Sequence, residues 1–261
     1  MMTKTALVTG AASGLGYELA FLLIKDGYDL VLVDIDAPKL KEVKQFFNKK
    51  FKSEVNLLIK DLSKPDAAQD IYNEVEHLPR MDVLVNNAGF GLFGTFAKTD
   101  WKRESEMLHL HVLTTTHLTK LILPAMISRK SGKILNISSL AAFQPGPLMS
   151  MYYASKSYIL SFSEAIANEL KGTGVTVTVL CPGPTKTLFQ ETVSNDCSEN
   201  KISFNMACPT DVALYGYNAM IKGKTVAIPG AFNKFLSTIP RFISRNMVTR
   251  IVRNIQEKNR A

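Results

Sequence analysis

Seven short apolar runs rich in β-branched residues punctuate this chain, and between them apolar positions recur at the three- and four-residue spacing of helices. The runs predict strands at Thr5 to Thr9, Asp29 to Val33, Val55 to Lys60, Val83 to Asn86, Lys133 to Ser138, Val175 to Cys181 and Thr225 to Ile228. The periodic stretches predict helices at Gly14 to Gly27, Pro38 to Phe51, Lys64 to Glu76, Asp100 to Ser128, Met151 to Lys171 and Pro209 to Ile221, with Pro65 near the first turn of the third. This alternation implies an α/β fold, a doubly wound parallel seven-stranded sheet with helices on both faces. Residues 1–230 form the expected main domain. Within it the weakly patterned stretch at about 188–208 reads as a substrate lid. Residues 231–261 form a C-terminal extension.

Composition narrows the class. With 46% apolar and 21% charged residues, the 261-residue chain can build a large core, which excludes disordered and coiled-coil classes. The net charge of +8 is unevenly distributed. Residues 231–261 carry seven basic side chains against one acid, a net +6, which leaves +2 for residues 1–230. A nearly neutral body argues against a nucleic-acid partner. Cys181, Cys197 and Cys208 have neither disulfide-framework nor metal-ligand spacing, so a reducing compartment is expected. No apolar run reaches the ~18 residues that span a bilayer, and the start leaves no room for a signal peptide, so a soluble cytoplasmic protein is expected.

The first strand runs directly into Thr9-Gly10-Ala11-Ala12-Ser13-Gly14-Leu15-Gly16, which opens the first helix. Glycines there allow a tight turn (Gly10), close approach of backbone N–H groups to a pyrophosphate (Gly14) and close helix packing (Gly16), at a helix end that favours anions. Asp34 ends the second strand eighteen residues after Gly16. A carboxylate there can accept hydrogen bonds from both hydroxyls of an adenosine ribose and repels a 2′-phosphate, so NAD is expected before NADP. No Lys or Arg in the glycine loop attracts that phosphate.

Tyr152 and Lys156, spaced i, i+4, share one helical face. A phenol with a pKa of about 10 is a poor proton-transfer group near neutrality, but an adjacent ammonium and a cationic nicotinamide would lower it. Ser139 adds a hydroxyl at the carboxyl edge of the sheet, where ligands of such folds bind.

These segments, together with Asn86-Asn87-Ala88-Gly89, Asn136-Ile137-Ser138-Ser139 and Pro182-Gly183-Pro184-Thr185-Lys186-Thr187, resemble in order and spacing the short-chain dehydrogenase/reductase family over about residues 3 to 230. The resemblance implies a single-domain Rossmann fold and a catalytic set in which Tyr152 is the general acid/base, Lys156 lowers its pKa and binds the nicotinamide ribose, and Ser139 polarises the substrate carbonyl. It also implies cofactor contacts from Gly10, Ser13, Gly14, Leu15, Gly16 and Asp34, and from Tyr152 and Lys156 themselves. Asp61 and Leu62 resemble the adenine contact, Asn87, Ala88 and Gly89 the adenosine lining, and Pro182, Gly183, Thr185 and Thr187 the nicotinamide carboxamide loop. A homodimer or homotetramer packed through the two long helices is a further implication.

One position departs from the family pattern. His111 stands where an Asn usually shapes the fourth helix and holds a water for the Lys; it could order that water, titrate as a relay group or disable the relay. His109, His111 and His117 point around different helix faces, so no metal is expected. Apolar residues crowd the predicted site, among them Phe90, Leu92, Phe93, Phe96, Phe143, Leu148, Met149 and Met151, with Leu188, Phe189, Phe204 and Met206 near or in the lid. They favour an apolar carbonyl or alcohol substrate. The tail alternates bulky apolar residues with arginines, and Pro240 is expected to start a helix. That helix either docks on the body or a partner subunit, covers the substrate entrance, or rests on an anionic membrane surface. The expected function is NAD(H)-dependent interconversion of a hydrophobic secondary alcohol and a ketone or aldehyde. The alternatives are an NADP-linked carbonyl reductase and a nucleotide-sensing binding protein with impaired turnover.

Overall fold

In the computed structural model, which describes residues 4–78, 80–185 and 207–258, the seven apolar runs pair as one sheet. The strands are β1 (Lys4–Thr9), β2 (Tyr28–Asp34), β3 (Val55–Ile59), β4 (Val83–Asn86), β5 (Gly132–Ile137), β6 (Val175–Leu180) and β7 (Val226–Ala227). Their order is β3-β2-β1-β4-β5-β6-β7, and every neighbouring pair is parallel. The expected doubly wound α/β architecture is therefore present. Successive side chains of a buried strand serve two cores. Leu30 and Leu32 join Leu19, Leu23, Leu40 and Phe47 on one face, while Val31 and Val33 join Ile71, Leu118, Ile122 and Met126 on the other.

The first face is covered by α1 (Gly14–Lys25), α2 (Ala37–Lys50) and α7 (Pro209–Ile221), the second by α3 (Ala67–Val75), α5 (Thr115–Ser128) and α6 (Ser150–Glu169). The third helix begins later than its periodicity predicts. The Asp61 carboxylate accepts from Ser63 N and Oγ, and Ala67 N donates to Lys64 O, so Lys64 and Pro65 are held in a turn. The helix expected over Asp100 to Ser128 is instead α4 (Trp101–Leu108), a π turn at His109–Thr114, and α5. A π turn absorbs one extra residue in a helix and re-aims the side chains around it. Thr114 Oγ1, buried at that turn, donates to Leu62 O at 2.8 Å, tying it to the loop after β3.

Beyond the sheet, α8 (Ala231–Thr238) and α9 (Arg245–Lys258) are joined through a 3₁₀ turn at Ile239–Arg241. Pro240 sits in that turn and does not start the helix: with residues up to Ser244 outside α9, the helical ladder begins at Arg245. Val248 and Val252 bury the inner stripe of α9. No helix among the described residues is long and apolar enough to cross a membrane.

A polar seam runs through the core where β4, β5, α5 and α6 meet. Asn86 Nδ2 donates to Asn136 Oδ1 at 2.8 Å and lies 3.1 Å from Thr119 Oγ1, and Asn136 Nδ2 donates to Ser163 Oγ at 2.9 Å. Asn136 is 0% exposed, so its partners have no water to fall back on. Asn136→Ala is expected to lower the unfolding free energy in urea by about 2–3 kcal/mol, the cost of stranded buried polar groups. A loss below about 0.5 kcal/mol would mean the seam carries no stability of its own.

Candidate active site

The strand order reverses at the β1/β4 boundary, and the glycine loop leaves β1 there. Gly10 and Gly14 take φ of +66° and +55°, in the region that favours glycine. A side chain on Gly16 would overlap the Gly10 carbonyl oxygen and come within 2.5 Å of Asn87 Nδ2. No side chain caps α1: Ser13 makes no cap hydrogen bond, and its first turn, from Gly14 through Leu15 and Gly16, carries no acid. An uncapped helix end behind a glycine turn fits the pyrophosphate of a dinucleotide. Asp34 is fixed at the edge of this cradle, its carboxylate accepting from Ala12 N at 2.9 Å and Asp36 N at 3.0 Å.

Asn87 and Ala88 serve this loop through bonds that the sequence pattern did not reveal. Asn87 Nδ2 donates to the carbonyls of Thr9 and Gly10, and the backbone N–H groups of Asn87 and Ala88 both donate to Thr9 Oγ1. The Asn87 amide thus braces the glycine turn. Thr9 is the matching residue that motif reading missed. Leu62 is buried, and the Asp61 carboxylate is engaged by Ser63 and, at 3.4 Å, by Lys64.

Tyr152 and Lys156 come from α6, and Ser139 caps a 3₁₀ turn, Leu140–Phe143, just beyond β5. The structure brings all three together. The Ser139 hydroxyl hydrogen-bonds the Tyr152 hydroxyl, and Lys156 Nζ lies 5.7 Å from the centre of the Tyr152 ring. Lys156 Nζ donates to Ile137 O at 3.1 Å, while Ser138 Oγ donates to Lys156 O at 2.8 Å. Ser138, the neighbour of the motif serine, therefore pins the helix that carries the tyrosine. Burial dominates the electrostatics. It pushes the Tyr152 phenol above its ordinary range, with Ser139 opposing, and pushes Lys156 down to about 8, with Cys181 pulling slightly upward. Lys156 still keeps its proton at neutral pH. In the polypeptide alone, Ser139 is what opposes burial at Tyr152, and the lowering that the resemblance implies for Lys156 does not show.

His111, in the π turn, is 2% exposed. Its Nε2 lies 3.3 Å from Phe90 N, a donor, and its Nδ1 lies 2.9 Å from Ser155 Oγ. Ser155 Oγ donates its own proton to Tyr152 O at 2.8 Å. The only consistent arrangement is a neutral ring with the proton on Nδ1. Burial, then the Lys156 ammonium, holds its pKa well below 6.5. Of the three readings open for His111, this weighs against titration as a relay group near neutrality. A side chain on Gly89 would come within 2.6 Å of His111 Nε2, so a glycine makes room for the imidazole.

The wall around Tyr152 is apolar: Met107, Ala141 and Met149 are buried against it, with Phe90, Phe93 and Met151 beside them. Leu148 adopts φ of +67°, and its carbonyl accepts from Gly94 N, closing this wall with a strained non-glycine residue. Pro182 O accepts from Leu140 N, and Thr185 Oγ1 donates to Gly183 O at 2.9 Å. Gly183 faces Asn233 of α8. Thr187, Lys186, Cys197 and the expected lid up to 206 lie outside the described residues.

Residues 4–212 match the short chain dehydrogenase family profile. The chain belongs to the short-chain dehydrogenase/reductase family. It is 31% identical over 208 residues to mouse 17-beta-hydroxysteroid dehydrogenase type 3, covering 78% of this chain and 67% of that one. It is 30% identical over 239 residues to an acetoacetyl-CoA reductase of Acinetobacter, covering 87% and 96%. A solved short-chain dehydrogenase from Sphingobium yanoikuyae in complex with NADPH superposes with a TM-score of 0.79 at 26% identity, over 87% of this chain and 88% of that one. As a short-chain dehydrogenase/reductase, this protein is an oxidoreductase that acts on CH–OH groups with a nicotinamide dinucleotide.

The state of His111 bears on acid stability. The unfolded chain takes up a proton near pH 6.5 while the folded one resists it, so His111 contributes fully above that pH and less as pH falls below it, at up to about 1.4 kcal/mol per pH unit. Urea unfolding between about pH 7.5 and about pH 5.5 should show this loss in the parent and a shallower one in His111→Asn. Equal slopes in both would contradict a neutral, buried imidazole.

Proposed function

We propose that this protein is an NAD(H)-dependent dehydrogenase/reductase that interconverts an apolar secondary alcohol and its ketone or aldehyde by direct hydride transfer. The observation that carries the reading is the hydroxyl pair Tyr152–Ser139, set over a buried Lys156 and walled by Met107, Met149 and Phe90. In reduction, Tyr152 gives its proton to the substrate oxygen while Ser139 holds that oxygen by hydrogen bonding; in oxidation Tyr152 takes the proton back. A protonated Tyr152 is the form that burial favours, which suits it to start as the acid. Lys156 supplies a fixed positive charge below the phenol and would hold the nicotinamide ribose. A bound nicotinamide supplies or accepts the hydride at its C4 carbon. Gly10, Ser13, Gly14, Leu15 and Gly16 would hold the pyrophosphate, Pro182, Gly183, Thr185 and Thr187 the carboxamide, and Asp61 with Leu62 the adenine.

Tyr152→Phe is expected to lower kcat by about 10³-fold while cofactor affinity falls by no more than about fivefold, since the variant removes the proton donor and, toward the cofactor, a single hydroxyl contact. Substantial activity in that variant would overturn the role of Tyr152. Failure to bind cofactor would mean the site had been disturbed, and Tyr152→Phe with an intact Kd separates the two.

Asp34 supports NAD over NADP. Its carboxylate, held beside the glycine loop by Ala12 N and Asp36 N, would repel a 2′-phosphate, and Lys39 and Lys60 are engaged by Asp36 at 3.4 Å and Glu74 at 2.7 Å. Calorimetry should give tighter binding of NADH than of NADPH, with the preference falling at least tenfold in Asp34→Ser, about the worth of one charged contact. Tighter NADPH binding by the parent protein would refute it.

A homo-oligomer joined through α5 and α6 fits the outward side of those helices. Leu113, in the π turn that leads into α5, and Tyr158 of α6 are exposed there; Tyr158 stacks on Phe162, and its hydroxyl bonds Thr116 Oγ1 at 2.9 Å.

A further inference from the structure

We propose that the outward side of α8 and α9 is a docking surface for an anionic lipid bilayer. Among the described residues, seven of the seventeen large apolar side chains left exposed fall between 231 and 258. On α8 they are Phe232, Phe235 and Leu236, at i, i+3 and i+4 on one face. Phe242, in the connection, is 82% exposed, more than any other large apolar side chain described. On α9, Met247, Ile251 and Ile255 form a straight i, i+4, i+8 stripe beside the buried stripe of Val248 and Val252.

The helix is thus apolar on two adjoining sides. One docks on the protein and the other is open. The expectation that the tail docks on the body is met by the buried side, and the open side is what the proposal concerns.

Charge selects the occupant of the open side. Between 231 and 258 there are six basic residues and one acid. Arg253 pairs with that acid, Glu257, at 2.8 Å, whereas Lys234, Arg241, Arg245, Arg250 and Lys258 are exposed and make no ion pair among the described residues. On the helical wheel Lys258 falls within the Met247–Ile255 stripe and Arg250 borders it. A second copy of this chain docking through the same face would oppose like charges around a two-fold axis. A nucleic acid would satisfy the arginines but leave the phenylalanines in water. A bilayer with anionic headgroups takes both, burying the bulky side chains at the acyl boundary and pairing the cations with phosphate or carboxylate.

The inner side of the same module reaches the candidate active site. Gln256 Nε2 donates to Tyr153 Oη at 2.7 Å, next to Tyr152, and Asn233 faces Gly183. Docking would therefore hold the site about one helix diameter, ~10 Å, from the lipid. The value of that placement to an apolar substrate rests on the proposed reaction; the docking itself does not.

The test is co-sedimentation of the full-length protein with vesicles of phosphatidylcholine alone or mixed with phosphatidylserine, without cofactor or substrate. Binding is expected to the mixed vesicles, weakened by salt. Arg241→Gln/Arg245→Gln/Arg250→Gln should weaken it by about 100-fold, at about fivefold per basic residue. Phe242→Ser should weaken it by at least about tenfold. Melting temperatures of both variants should match the parent, because the altered side chains are exposed. Equal binding to both vesicle types, no binding to either, or binding that neither variant reduces would overturn the proposal. So would a concentration-dependent dimer in sedimentation velocity that Phe242→Ser abolishes.

Discussion

A buried ammonium must find oxygen atoms or give up its proton, and the placement of Lys156 meets that demand at the carboxyl edge of the sheet. Its Nζ takes the Ile137 carbonyl at the end of β5, and its own carbonyl is taken by Ser138 from the same edge. Two bonds in opposite directions between one strand end and one residue of α6 leave that helix no freedom to slide or turn. Tyr152, one turn earlier, inherits the placement, and Ser139, one residue beyond Ser138, meets its hydroxyl. The same burial that makes Lys156 costly lowers its pKa to about 8 and raises that of the Tyr152 phenol, so one constraint sets both the position of α6 and the protonation of the proposed acid.

His111 extends this logic to the other side of α6. Its imidazole spans from Phe90 N to Ser155 Oγ, and through Ser155 to the Tyr152 carbonyl. The π turn carries the ring inward, and Gly89 leaves the space for it. A neutral imidazole with both nitrogens engaged adds no titration near pH 7. It acts as a strut between the loop after β4 and the helix that holds the proposed proton donor.

Much of this was legible in the sequence, and what was not shares a physical reason. The glycine loop, Asp34 and the Tyr152/Lys156 pair are encoded by spacing within one element or across one strand–helix turn, where local geometry follows from residue order. The central strands were legible because both of their faces are buried. The contacts that hold the site lie far apart in the chain: Asn87 with Thr9 across 78 residues, His111 with Ser155 across 44, Asn136 with Ser163 across 27. Pairing of that kind depends on sheet register and helix rotation, which no single-element pattern carries. The π turn was hidden for a related reason, since six residues of altered winding barely disturb a helical periodicity of nearly thirty. The tail's two-sided character needed the burial of Val248 and Val252 before the neighbouring stripe could be recognised as open.

The central claim is that these buried bonds aim Tyr152 and a nicotinamide at the same carbonyl, so that hydride passes directly to carbon while the proton comes from the phenol. Reduction of an apolar ketone with NADH carrying deuterium at both nicotinamide C4 positions, followed by mass spectrometry of the alcohol, tests it most directly. The account predicts one deuterium on the carbinol carbon and none there when the label is supplied only as heavy water. Label arriving from the solvent, or an alcohol formed without label from the deuterated cofactor, would contradict it.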